Sequence, residues 1–127
     1  MPEHTHDDDQ LAAAAARLHE ERATLLASVA GMAEDMTKLF DASRDSNADD
    51  EHDPEGQTIA FERAQLAALT DRAREQLTEI DAALGRVADG SYGMCEVGGE
   101  PIPAARLEAR PTARTCVEHA TSRPPPR

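Results

Sequence analysis

The stretch LAAAAARLHEERATLLASVAGMAEDMTKL, residues 11–39, repeats an apolar residue every seven positions. The repeat consists of Leu11, Leu18, Leu25, Met32 and Leu39, and the second seam position is filled by Ala15, Val29 and Met36 in three of the heptads and by Arg22 in the other. An apolar heptad repeat sustained over about four heptads is typical of a helix that packs along another helix in a coiled coil. The pattern therefore predicts a long amphipathic helix with one polar break at Arg22.

A second repeat of the same period begins at Ile59. It continues through Leu66, Ala73, Ile80 and Val87, with Leu77 and Leu84 interleaved. Proline disfavours helical geometry in the residue before it and suits the first helical position, so we expect the second helix to begin at Pro54. Gly90 is expected to end this helix as a glycine C-cap. The fold predicted from the two repeats is mainly α, a long antiparallel helical hairpin.

The remaining segments predict a small C-terminal knob and two loose ends. We expect a disordered acidic leader over residues 1–10, the hairpin over 11–90 with an acidic tip at 41–56, the knob over 91–120 and a disordered tail over 121–127. A short helix is expected to start at Pro111. Without a metal, the knob would be held by packing of Tyr92, Val97, Ile102, Leu107 and Val117.

The composition restricts both the size of the core and the choice of partners. The 127 residues carry a formal net charge of −12 and only 2% aromatic side chains. Nucleic-acid binding draws much of its free energy from basic side chains that neutralise phosphates, so direct DNA binding is disfavoured. An acidic surface is attracted instead to basic protein surfaces. No apolar run approaches the roughly 20 residues that span a bilayer, and we expect a monomeric protein of the reducing cytoplasm.

Both cysteines lie in the knob, in the pattern Cys95-x20-Cys116-x2-His119. A structural zinc site usually has four ligands, and Gly98 stands where a second sulfur would complete a zinc ribbon. Three ligands would need a water or a carboxylate, such as Glu96 or Glu118, in the fourth place. The spacing leaves open a zinc site, a metal-free knob held by packing, and a redox pair of thiols.

The knob resembles the C-terminal signature of DksA/TraR-type proteins. It has a Y-G-x-C step at residues 92–95 and G-x-x-I at 99–102, followed by R-L-x-A-x-P-x-A-x-x-C at 106–116. The resemblance, which covers roughly residues 9–120, implies a coiled-coil hairpin that enters the secondary channel of bacterial RNA polymerase. Acidic residues at the tip would reach toward the active centre. The sequence departs from the family's zinc-ligand set at Gly98.

The resemblance also implies candidate tip residues. The family's tip motif D-x-x-D-x-A corresponds to Asp50-Glu51-His52-Asp53-Pro54-Glu55, which keeps both aspartates and ends in Glu55. A second register starts at Asp53 and ends at Thr58, with Gly56 in place of the second aspartate. We take Asp50, Asp53 and Glu55 as the candidate contacts to the polymerase.

The alarmone ppGpp is a weaker inference from the same resemblance. Arg72 and Arg110 match basic positions of the regions that contact ppGpp in family members, whereas Glu79 and Ala120 stand where such members carry lysines. A carboxylate close to an arginine reduces what that arginine gains from a pyrophosphate. The sequence therefore argues against strong ppGpp binding.

Two functions from other classes compete with a polymerase-binding transcription regulator. A hairpin with tip carboxylates could also activate transcript cleavage by positioning a second metal ion in the polymerase. Alternatively, the knob could sense metal or redox state while the hairpin docks, as in an adaptor protein. We do not expect an enzyme, because no nucleophile with a paired base and no phosphate-binding loop is recognisable.

Overall fold

Two long helices account for most of the described chain. The computed structural model describes residues 8–45 and 54–120. Helix α1 comprises Asp8–Asp45, α2 comprises Pro54–Asp89, α3 comprises Ala104–Ala109, and a single 3₁₀ turn comprises Val117–His119. Helix α1 thus begins within the predicted leader and extends into the predicted tip, while α2 begins at Pro54 as the Asp-Pro step predicts. No helix within these residues combines the length and the apolar character needed to cross a membrane.

The chain forms two compact units, one of residues 23–77 and the other of residues 1–22 and 78–127. In the unit of residues 23–77, Thr70 Oγ1 donates a hydrogen bond to Met32 Sδ at 3.3 Å. Further along α1, the Arg63 guanidinium lies 4.2 Å from the centre of the Phe40 ring. The later residue of α1, Phe40, thus contacts the earlier residue of α2, Arg63, so the two helices are antiparallel. This confirms the predicted helical hairpin.

In the unit of residues 1–22 and 78–127, the seam between the helices is well buried. Leu18 and Ala83 are fully buried, and Ile80 is 3% exposed. At the polar break of the seam, Arg22 Nε donates to Asp81 Oδ1 at 2.7 Å while both side chains remain about half exposed. An exposed pair of this kind contributes little stability, but it satisfies the one charge that the repeat places beside the seam.

Gly90 ends α2, as predicted. Its φ of +85° lies in the left-handed region that glycine adopts without steric cost. The backbone N–H of Ser91 then returns to the carbonyl oxygen of Arg86 at 3.0 Å, which is the hydrogen bond of a Schellman cap. The chain turns immediately into the knob, where the buried Tyr92 donates its hydroxyl hydrogen to the Pro111 carbonyl at 2.7 Å.

The predicted helix starting at Pro111 is wrong. The α-helix of the knob is α3, Ala104–Ala109, whose helix-favouring alanines, leucine and glutamate follow the extended Pro103. Arg110, which precedes Pro111, is extended with φ −138° and ψ 86° and ends α3, as a residue before proline tends to do. After Pro111 the chain is irregular until the 3₁₀ turn.

The predicted packing of the knob is correct for three residues and wrong for two. Tyr92, Ile102 and Leu107 are buried, whereas Val97 and Val117 are 43% and 69% exposed. Cys95, Ala113 and Cys116 take part in the core instead. Small side chains and sulfur thus occupy much of the interior of the knob.

Leu18→Ala is expected to lower the free energy of unfolding by about 2–5 kcal/mol, because it removes a fully buried leucine from the seam. The matched control is Leu26→Ala, on the same helix, where the side chain is 44% exposed. The control should change stability by less than about 1 kcal/mol. Urea unfolding followed by circular dichroism measures both, and equal losses would contradict the assigned seam.

Candidate metal centre

A tight loop presents Cys95 at one end of the knob. Gly93, with φ +87°, starts the loop, and its carbonyl accepts a hydrogen bond from Ile102 N–H at 2.7 Å. The N–H of Cys95 donates to the Glu100 carbonyl at 2.7 Å, and the N–H of Gly99 donates back to the Cys95 carbonyl at 2.9 Å. These bonds fold residues 93–102 back on themselves. The side chains of residues 95 and 100 therefore lie at the same end of the loop.

The second cysteine arrives from the C-terminal side of the knob. Cys116 is buried and extended, and the following 3₁₀ turn is closed by a hydrogen bond from His119 N–H to the Cys116 carbonyl at 3.0 Å. This turn brings the His119 ring back to the loop, where its Nδ1 lies 3.2 Å from Cys95 Sγ. The structure thus places His119 and the backbone of Cys116 against the same sulfur, since Cys116 N–H lies 3.5 Å from Cys95 Sγ.

Glu100 joins this group, and the spacing analysis did not identify it. The ligand atoms of Cys95, Glu100 and Cys116 all lie within 4.8 Å of one another. His119 Nδ1 is also 3.2 Å from Glu100 Oε2. The sequence does contain one indication of this role, because Glu100 directly follows Gly98-Gly99, a pair of residues that favours a tight turn.

The two carboxylates considered from sequence are placed elsewhere. Glu96 Oε2 accepts from Arg114 Nη1 at 3.2 Å and lies 4.0 Å from Arg86 Nη1. Glu118 is exposed on the 3₁₀ turn and is not part of the Cys95, Glu100 and Cys116 group. Of the acidic residues in the knob, Glu100 is therefore the one that faces the two sulfurs.

The surroundings of Cys95 favour its thiolate. Burial raises the pKa of this thiol, but backbone N–H groups and the His119 ring outweigh burial and lower the pKa to about 7. Two of these donors are Gly98 N–H, at 3.4 Å from the sulfur, and Cys116 N–H, at 3.5 Å. Hydrogen bonds to the charged form of a group stabilise that form. The hydrogen bond with Cys95 in turn raises the pKa of His119.

Cys116 behaves in the opposite way. Burial, followed by the neighbouring Glu100 carboxylate, raises the pKa of this thiol to about 12. Its sulfur lies 3.6 Å from the Pro101 carbonyl oxygen, toward which the thiol hydrogen points. Without a cation, one sulfur therefore favours the thiolate and the other the thiol. A bound cation would reverse the preference of Cys116, since a coordinating thiol loses its proton.

The residues present fit a zinc ion. Zinc takes thiolate, imidazole and carboxylate ligands, with metal–ligand distances of about 2.0–2.3 Å in a tetrahedron. These distances give tetrahedron edges of about 3.3–3.8 Å, close to the 3.2 Å that separates His119 Nδ1 from Cys95 Sγ and from Glu100 Oε2. Such a site would serve as a structural cross-link of the knob, in which the ion joins the loop of Cys95 to the turn after Cys116.

None of the other candidate residues that the structure describes is part of the Cys95, Glu100 and Cys116 group. Glu55 is exposed in the first turn of α2, and Asp50 and Asp53 lie outside the described residues. Arg72 is exposed on α2 in the unit of residues 23–77. Arg110 is exposed at the end of α3, where its N–H donates to the Arg106 carbonyl at 2.7 Å.

Comparison with known proteins gives a consistent result for the knob and for the whole fold. Residues 90–120 match the family model for the prokaryotic dksA/traR C4-type zinc finger. The RNA polymerase-binding transcription factor DksA of Caulobacter vibrioides (strain NA1000 / CB15N) is 58% identical over 57 residues, which are 45% of this chain and 40% of that protein. General stress protein 16O of Bacillus subtilis (strain 168) is 41% identical over 73 residues, 58% of this chain and 45% of that protein.

Two solved structures are similar over most of the chain. Transcription factor DksA2 from Pseudomonas aeruginosa has a TM-score of 0.76 and 29% identity, over 93% of this chain and 86% of that chain. The RNA polymerase binding protein and transcriptional regulator Dks from Chlamydia trachomatis L2 (LGV434) has a TM-score of 0.51 and 27% identity, over 88% and 84%.

Fold and site together define a helical-hairpin protein with a zinc-finger-type knob. The family model, the curated relatives and the solved neighbours all support the DksA/TraR family for this chain. The aligned region spans less than half the length of the curated relatives it matches, 40% in Caulobacter DksA and 45% in general stress protein 16O.

The metal-free protein is expected to form one thiolate with a midpoint near pH 7, because the hydrogen bonds to Cys95 lower the pKa of that thiol to about 7. Ultraviolet absorbance of the thiolate measures it, and Tyr92 ionises only at higher pH because burial raises the pKa of its hydroxyl. The stabilisation that accompanies this lowered pKa is fully present above the pKa of an unfolded thiol and is lost as the pH falls through about 7.

Two variants assign this titration. Cys95→Ser should abolish the midpoint near pH 7, whereas Cys116→Ser should retain it, since burial and Glu100 raise the pKa of Cys116 to about 12. A midpoint that persists in Cys95→Ser would contradict the assignment of the thiolate.

Proposed function

We propose that this protein is a transcription regulator that binds bacterial RNA polymerase and inserts the tip of its helical hairpin into the secondary channel to modulate initiation. The observation that carries the proposal is the likeness to DksA2 of Pseudomonas aeruginosa over 93% of the chain, hairpin and knob together. The curated relatives named as RNA polymerase-binding factors support the choice of partner.

The charge of the chain supports a protein partner rather than a nucleic acid. The net charge of −12 would repel a phosphate backbone. RNA polymerase holds its nucleic acids on basic surfaces, and an acidic protein is attracted to such surfaces. Long-range attraction of this kind increases the rate of association and falls as salt is added.

The end of the hairpin carries further features suited to contact. Glu55 is exposed, and the aromatic rings of Phe40 and Phe61 are 48% and 66% exposed in the same unit. Aromatic side chains are enriched at protein interfaces. We therefore place the contact on the tip residues Asp50, Asp53 and Glu55, with Phe40 and Phe61 on the adjoining part of the hairpin.

The role of ppGpp is proposed to be minor. Glu79, at a position where ppGpp-binding members carry lysine, binds the Arg114 guanidinium through both carboxylate oxygens at 2.9 and 3.3 Å. A pyrophosphate at this place would meet a carboxylate and an arginine that already has a partner. Arg72 and Arg110 remain as exposed basic residues on different units.

Titration of the purified protein with bacterial core RNA polymerase tests the partner. We expect saturable binding, which should weaken as salt rises because the acidic surface contributes. Fluorescence anisotropy of a labelled chain measures the affinity, and zinc is assayed on the same sample. In the control titration, a basic protein replaces the polymerase and shows how much binding comes from non-specific attraction between opposite charges. An absence of binding would contradict the proposed function and favour the metal- or redox-responsive adaptor.

Asp50→Asn combined with Asp53→Asn should abolish the effect on transcription initiation while leaving helical content unchanged, because only the tip acids are altered. The matched control is Asp35→Asn with Asp71→Asn, two exposed aspartates on α1 and α2 that change the net charge equally. Promoter-specific transcription in vitro measures both variants. Equal effects of the two pairs would mean that charge in general, rather than the tip, carries the function.

A different assay distinguishes the proposed transcription regulator from an activator of transcript cleavage. Stalled elongation complexes would release short RNA fragments if tip carboxylates positioned a second magnesium ion. We expect no such stimulation. The likeness of the knob to the dksA/traR zinc finger supports this expectation, and stimulated cleavage that depends on Asp50 and Asp53 would overturn it.

A further inference from the structure

The place that a side chain at position 98 would occupy is filled by Glu100. A Cβ atom built on Gly98 would lie 2.0 Å from Glu100 Oε1 and 2.6 Å from His119 Cε1. Gly98 is not among the glycines with positive φ, so its backbone conformation is open to other residues. What excludes a side chain at this position is the space taken by the carboxylate and the imidazole.

We propose that Glu100 is the fourth ligand of a zinc site formed with Cys95, Cys116 and His119, in the place where a cysteine at position 98 would bind. The four side chains offer two sulfurs, one nitrogen and one oxygen, all of them donors that zinc accepts. The Glu100 carboxylate lies within 4.8 Å of both sulfurs and 3.2 Å from the imidazole nitrogen.

The exchange preserves the charge of the site. Two thiolates and a carboxylate carry the same formal charge as the three thiolates of a site with cysteine at position 98. A carboxylate is a harder ligand than a thiolate and suits zinc less selectively. The site is therefore expected to bind zinc with four protein ligands, but to release it to a chelator faster than a site with three cysteines.

The loop geometry explains how a residue two positions further along can reach the same place. Gly99, with φ +80°, turns the chain directly after Gly98. The N–H of Gly99 then bonds to the Cys95 carbonyl, and the Glu100 carbonyl accepts from the Cys95 N–H. Glu100 thus stands directly beside Cys95 on the folded loop, and its side chain extends across the open face of Gly98.

The test measures zinc binding by the full chain, without polymerase, so its outcome does not depend on the proposed function. Metal-free protein is titrated with zinc against a chromophoric chelator and, separately, with Co²⁺, whose absorption reports tetrahedral geometry and sulfur ligation. Wild-type protein is expected to bind one zinc per chain with a tetrahedral cobalt spectrum. A wild-type protein that binds no zinc would overturn the proposal.

Glu100→Gln should weaken zinc binding by more than the roughly 10–100-fold that loss of an outer partner of a ligand costs. Glu108→Gln is the matched control, since Glu108 is exposed on α3 of the same knob and is not part of the ligand group, and it should bind zinc as the wild type does. Equal affinity of Glu100→Gln and wild type would overturn the assignment of Glu100 as a ligand.

A rescue variant tests the equivalence of the two positions. Gly98→Cys combined with Glu100→Ala removes the carboxylate and introduces a sulfur, which the His119 ring accommodates by a shift of its side chain, since a Cβ at position 98 would lie 2.6 Å from His119 Cε1. This double variant should regain tight zinc binding, and its cobalt complex should show sulfur charge-transfer absorption stronger than that of the wild type by about half, since three thiolates replace two. A folded double variant that binds no better than Glu100→Ala alone would contradict the equivalence.

Discussion

One narrow apolar seam between two helices is the constraint on which the rest of the structure depends. Each helix can bury only one face against the other, and with 2% aromatic residues the chain has few large side chains to add. Leu18 and Ile102 are the largest fully buried side chains of the described residues, one on the seam and one in the knob. The knob therefore relies on hydrogen bonds as well as burial, among them those of Cys95 Sγ with His119 and with Cys116 N–H, and that of the Tyr92 hydroxyl with the Pro111 carbonyl.

The helices could be predicted from sequence because their signals are local and repeated. The heptads of α1 and α2 name the buried face directly, and Ile80 and Ala73 are buried where the period places them. Pro54 and Gly90 mark helix ends through backbone geometry alone, which does not depend on distant contacts. These helix ends can therefore be predicted without knowing how the rest of the chain folds.

The knob could be predicted only in part, because its structure depends on contacts between segments. Pro111 suits the first turn of a helix, but its carbonyl accepts the hydrogen bond of the Tyr92 hydroxyl. The residues after it run irregularly to the buried Cys116, and their extended path overrides local preference. The spacing of residues along the chain does not point to Glu100 as a neighbour of Cys95, because the turn at Gly99 brings the two together only in the folded loop. Cysteine and histidine are typical zinc ligands and so suggest a metal site in a sequence, whereas a glutamate is most often an ordinary surface residue.

The Arg114 side chain links the candidate metal centre to α2. Glu96, which follows Cys95, donates its N–H to the Arg114 carbonyl at 2.8 Å and accepts from the Arg114 guanidinium at 3.2 Å. The same guanidinium is bidentate to Glu79 on α2. An ion that joined Cys95 to Cys116 would hold the segment of Glu96 against the segment of Arg114, since Glu96 follows Cys95 and Arg114 precedes Cys116 by two residues.

The exposure of Arg114 and Glu79 limits what their pair contributes alone. Its geometry, however, is set by the segments on either side, and fixing those segments removes the entropy that a surface pair otherwise loses. Metal binding would therefore strengthen the attachment of the knob to α2 as well as the interior of the knob. The seam of the hairpin contains none of these groups, so its packing rests on apolar burial whether or not the ion is bound.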